Sequence, residues 1–146
     1  MARDYMARAT ARLRAARGAF GRGDHPDVVR YSQECTEFSL KACLRLVGVE
    51  YPREHEVSDI LTASSNRFPE WFRKRIRQFA EISLTLAEAR GPSVYGDEAR
   101  GIPASKMFGR DEAEKAVADA AEVHNISEEL LQWHTEEDEE SDGSSC

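Results

Sequence analysis

Hydrophobic positions recur at helical spacing along almost the whole chain. Tyr5, Ala9, Leu13, Ala16 and Phe20 follow one another at steps of three or four, so they share one stripe of a first helix. Gly21, Arg22 and Gly23 break it, and Asp24, Pro26 and Asp27 read as the capped start of a second helix over about residues 25–47. Val28, Ser32, Cys35, Ser39, Ala42 and Leu46 make a narrow stripe of small residues on that helix, widened by Phe38, Leu40, Cys43 and Leu44. The small stripe, with Phe38, Trp71 and Phe72, suits a dimer interface, while the same aromatics also suit a monomer core. A short third helix fits residues 54–65. A fourth carries Phe72, Ile76, Phe79, Ser83 and Leu86 on one face and should run from Pro69 to about Arg90. Residues 91–109 hold four of the nine glycines and two of the five prolines and show no period, which predicts a long loop. Asp111 with Glu114 resembles a capping box, and the last helix follows to about Trp133. β-Branched residues never alternate over six positions, so no strand is expected. The pattern predicts an all-α, up-and-down antiparallel bundle of about five helices over residues 1–134.

Charge divides the chain. The net charge is −7, and six acids sit in the last stretch: Glu136, Glu137, Asp138, Glu139, Glu140 and Asp142. Residues 135–146 hold almost nothing apolar and are expected to be an acidic disordered tail. Seven arginines in residues 1–30, and a second basic group over 67–77, give two segments able to meet phosphate or an acidic partner. Their ordinary role is to solvate exposed helix faces. No apolar run reaches the ~20 residues of a membrane span, and no secretory signal is expected from the N-terminal stretch. Three cysteines without a CxxC pair suggest neither a disulfide framework nor a zinc ribbon. A reducing, cytoplasmic setting is expected, with no membrane partner.

Tests for chemistry are mostly negative. The residues three before the histidines are Arg22, Pro52, Ala121 and Leu131, so the Glu-x-x-His pairs of a di-metal bundle are missing. No phosphate-loop or nucleophile-elbow motif occurs, and Cys35 and Cys43 fall on the expected buried face. No metal, no cofactor and no catalytic residue is expected. Glu37 and Lys41, four apart in the favourable order, read by themselves as an ordinary helical ion pair.

Together these ordinary features form a pattern. Tyr31-Ser-Gln-Glu-Cys-Thr-Glu37-Phe-Ser-Leu-Lys41-Ala-Cys-Leu44, then Gly48-Val and Tyr51-Pro, then His55-Glu-Val-Ser-Asp-Ile-Leu61, resembles the HEPN family (higher eukaryotes and prokaryotes nucleotide-binding domain). Ser93-Val-Tyr95-Gly-Asp97 resembles the family's tyrosine-containing loop before its last helix, although Val94 stands where an arginine often precedes the tyrosine. The resemblance covers about residues 1–130. It implies a five-helix bundle that dimerises and, in many prokaryotic members, partners a minimal nucleotidyltransferase in a toxin–antitoxin-like system. Another branch cuts RNA with Arg-x4–6-His, and no histidine here has an arginine at that spacing. The resemblance therefore implies a non-catalytic homodimer that binds a nucleotidyltransferase, a nucleotide, or both. Its candidate nucleotide or phosphate ligands are Lys41, His55, Tyr95 and Arg100. The alternatives are an RNA-cleaving toxin using His55 with a neighbouring arginine such as Arg53, and a nucleic-acid-binding bundle using the two basic segments.

Overall fold

The computed structural model describes residues 1–51 and 56–144, with side chains to residue 140. Its helices are α1 (Ala2–Arg22), α2 (His25–Leu46), α3 (Val57–Ala63), α4 (Glu70–Arg73), α5 (Ile76–Tyr95), α6 (Ala104–Met107) and α7 (Arg110–Ser144), with a 3-10 turn at Ser65–Arg67. No strand occurs among the described residues; a single antiparallel bridge pairs Asp97 with Ile102. The all-α expectation holds. No described helix is long and apolar enough to cross a membrane.

Contacts fix the helix directions. Tyr5 stacks on Phe38 at one end of the α1–α2 pair and Phe20 meets His25 at the other, so the two are antiparallel. Val28 clusters with Ala113, Cys35 with Ala120, and Cys43 touches Ser127, so α7 runs alongside α2 in the same direction. Arg75 meets Glu122 while Leu86 and Ala116 share a cavity wall, so α5 is antiparallel to α7. In chain order α1, α2, α5 and α7 therefore alternate in direction.

The reversal between α1 and α2 is a Schellman turn. Gly23 takes φ +77°, its N–H donates to Phe20 O (3.1 Å), and Asp24 N–H donates to Ala19 O (2.9 Å). Glycine adopts that left-handed conformation without a Cβ penalty. Asp24 does not cap α2 with its side chain; the carboxylate accepts from Arg22 Nε at 3.1 Å instead.

The small stripe of α2 is internal. Ser32, Cys35, Ser39 and Ala42 are fully buried, as are Ala113, Ala120 and Ser127 of α7. Small side chains on both helices let the two backbones approach closely. The stripe is therefore a seam within one chain and supplies no exposed dimer face. Phe72 is also core, in a chain of rings with Phe68 (4.7 Å) and Phe79 (5.9 Å). Phe38 is half-buried under Tyr5, and Trp71 packs edge-on against Trp133 at 6.3 Å.

Four further expectations are corrected. The helix expected over 69–90 bends at Lys74–Arg75 into α4 and α5. The loop expected from residue 91 starts later, because α5 runs through Gly91 and Pro92 to Tyr95; Ser93 is buried and its hydroxyl donates to Arg90 O (2.6 Å). Proline is tolerated there because it forfeits one backbone bond in a last turn that packing already holds. Finally, residues 135–144 continue α7, although a disordered acidic tail was expected. Adding residues to an existing helix avoids the nucleation cost, and glutamate is a good helix former. The start of α7 also shifts: Glu112, not Glu114, closes the capping bond, to Gly109 N–H at 3.1 Å.

Candidate functional site

The residues of α2 spaced by four at 33, 37 and 41 lie away from the α7 seam and anchor a polar ladder. Gln33 is buried and Glu34 half-buried. Arg90, reaching over from α5, donates to Gln33 Oε1 (2.9 Å) and to Glu34 Oε2 (2.8 Å). From α1, Arg12 Nε stands 2.9 Å from the other Glu34 oxygen. Gln33 Nε2 donates to Glu37 Oε2 at 3.3 Å, and Glu37 Oε1 lies 3.5 Å from Lys41 Nζ. The Lys41 ammonium sits 4.7 Å from the centre of the Tyr51 ring. Burial, then the charges of Glu37 and Glu56, push the Tyr51 hydroxyl pKa up from its ordinary value.

The ladder ties α1, α2, α5 and the chain after α2 into one surface. Three cations alternate with two carboxylates, a balance of +1 over five charges. Arg12 and Arg90 converge on one carboxylate and keep 40% and 45% of their side-chain surface in water. Guanidinium groups in such pairs suit phosphate and carboxylate oxygens by their fork geometry. The two thiols among the described residues are poor nucleophiles: burial raises Cys35 and Cys43 to about 12. Among the described residues, no group of three or more His, Cys, Asp or Glu converges as a metal site.

The candidate ligands fall in different places. Lys41 is in the ladder. Tyr95 ends α5, 69% exposed, over a surface concavity lined by Pro92, Asp97, Glu98 and Met107. Arg100 belongs to the same turn, where its N–H donates to Asp97 Oδ1 (3.1 Å) and its guanidinium lies 3.7 Å from that carboxylate. Gly96 makes the turn possible at φ +68°, since a Cβ there would lie 2.3 Å from Ile102 O. Lys41 lies eight residues beyond Gln33 one way, and Tyr95 five residues beyond Arg90 the other. At 1.5 Å per residue this separates them by roughly 20 Å along the axis. His55 lies outside the described residues. Lys41 and Tyr95–Arg100 are thus two separate groups. Arg12, Glu34 and Tyr51 were not singled out in the sequence; only the i, i+4 series through Gln33, Glu37 and Lys41 pointed to them.

The family model for the HEPN domain matches residues 2–130. The chain belongs to the HEPN family. No curated protein matches it. This HEPN protein is also similar to a solved structure, the crystal structure of TT1696 from Thermus thermophilus. The TM-score is 0.68 at 27% identity, covering 88% of this chain and 97% of that one. The segment that carried the sequence resemblance is, in this HEPN protein, the spine of the ladder.

Proposed function

We propose that this HEPN protein is a non-catalytic association module. It acts as a homodimer that binds a minimal nucleotidyltransferase, a nucleotide, or both, in a toxin–antitoxin-like pairing. The observation that carries this reading is the ladder itself. Arg12 and Arg90 are held in place around Glu34 by three helices, beside a Lys41 already committed to Glu37 and Tyr51. Such a surface is built to recognise charge and lacks an activated nucleophile. The missing Arg-x4–6-His spacing in the sequence supports the same reading. Phosphate oxygens of a nucleotide, or carboxylates of a partner protein, complement its exposed guanidinium edges.

Isothermal titration with ATP, with and without the co-expressed nucleotidyltransferase, tests the proposal. Arg90→Glu should abolish the binding seen with the native chain while leaving the helical spectrum unchanged. Lys41→Ala should weaken it. Unchanged affinity in both variants would overturn the ladder as the binding surface. RNA cleavage by the purified protein, lost in His55→Ala, would overturn the non-catalytic reading.

A further inference from the structure

A cavity of about 210 Å³ opens between α5 and α7 beside the start of α2. Val29, Ile82, Leu86, Ala89, Ala116 and Phe108 form its apolar walls. The sequence explains the space. The facing helices offer alanine at 89 and 116, where a filled seam carries larger side chains. Arg75 and Gln78 close one end of the seam by reaching Glu122. Phe108 walls the other end, on the extended step between α6 and α7.

One edge of the cavity is charged. Glu112, Lys115 and Asp119 stand there, and Lys115 Nζ is 2.6 Å from Asp119, so that cation is already matched. Beside it, sharing Thr85, lies a polar recess of about 240 Å³ bordered by Gln78, Glu81, Lys115 and Asp119. Glu81 is only loosely screened, since its pairing with Arg77 spans 3.9 Å between two exposed side chains. The result is an apolar chamber that opens onto an edge with three carboxylates and one lysine.

We propose that this seam binds a small aromatic amine. The ring lies in the chamber, and the ammonium reaches the recess beside Glu81, with the Lys115–Asp119 pair along its other side. Size and charge both select this class. An apolar cavity of about 150 Å³ admits benzene, so the larger chamber holds a fused bicyclic ring. Glu81, Glu112 and Asp119 against Lys115 and the loosely held Arg77 leave one excess negative charge, which favours a cation over an anion or a neutral ring. The site shares no residue with the Arg12–Glu34–Arg90 ladder and does not depend on the association role.

Tryptamine, indole and indole-3-acetate carry the same ring with positive, neutral and negative tails. Titrated into the full chain and followed by NMR shifts or calorimetry, tryptamine should bind most tightly. It should exceed indole-3-acetate by about tenfold, a difference of about 1.4 kcal/mol. Glu81→Gln with Asp119→Asn should erase most of that preference while leaving indole binding in place. Ala116→Met should block all three ligands. Should that variant unfold, Ala89→Leu decides, because its site is only half-buried and can take a larger side chain. Equal affinity for amine and acid, or tryptamine binding unaffected by Ala89→Leu in a variant that melts like the native chain, would overturn the proposal.

Discussion

At the scale of single residues, the buried thiols make the most direct prediction. Burial raises Cys35 and Cys43 from 9.0 to about 12. Above pH 9 the unfolded chain loses thiol protons that the native chain keeps, so the unfolded state binds fewer protons and stability falls as pH rises. Urea unfolding between pH 8 and 11 should show that decline, and Cys43→Ala should reduce it. In the native chain both thiols should stay silent to a thiol reagent at pH 8 and react only on unfolding. Gly96 gives a second test at this scale. With Ile102 O standing 2.3 Å from any Cβ, Gly96→Ala must displace the turn, at a cost of about 1–3 kcal/mol in urea unfolding. These two sites differ in how they were read. The buried cysteines followed from their place on an apolar stripe. The tight turn at Gly96 did not, because glycine and proline content there pointed to a loop without saying which backbone angles it takes.

At the scale of elements, the seam between α2 and α7 and the ladder across α1, α2 and α5 have different sensitivities. The seam depends on small size, so Ala120→Leu should overpack it and destabilise the protein by about 1–3 kcal/mol in thermal unfolding. The ladder is half in water, so its ion pairs stabilise weakly. A double-mutant cycle between Glu34→Gln and Arg90→Ala should give a coupling of about 0.5–1 kcal/mol, falling as salt rises. A binding role for the ladder would then show as a loss of affinity out of proportion to that small stability change. Helix α5 shows where reading by period meets its limit. Its stripe of Phe72, Ile76 and Phe79 crosses the bend at Lys74–Arg75 unbroken, since a bend that keeps the same face inward leaves no mark on the period.

At the scale of the whole molecule, α7 overshoots the bundle. Leu130 and Leu131 are its last fully buried residues, and Glu136 to Glu140 are exposed along the continuing helix. Truncation after His134 should leave the melting temperature nearly unchanged, because no buried contact is removed. It should lower the helical circular dichroism signal by about ten residues' worth, the span added if each residue contributes equally. A large fall in melting temperature would mean that the extension packs against the body. Removing six acids also takes away most of the formal charge of −7, which should raise the tendency of the chain to self-associate near neutral pH.

The chain's own periodicity settled the long helices and the burial of the α2 stripe, though not where α5 and α7 end, since a 3.6-residue repeat is a local property that any stretch carries by itself. The i, i+4 series at Gln33, Glu37 and Lys41 was legible for the same reason. The tertiary structure alone decided what that stripe faces, that Arg12 and Arg90 arrive from two other helices to share Glu34, and that Tyr95 lies far from Lys41. Contacts between side chains on different helices depend on how those helices dock, and docking follows from the summed shape of many side chains, which no local spacing encodes.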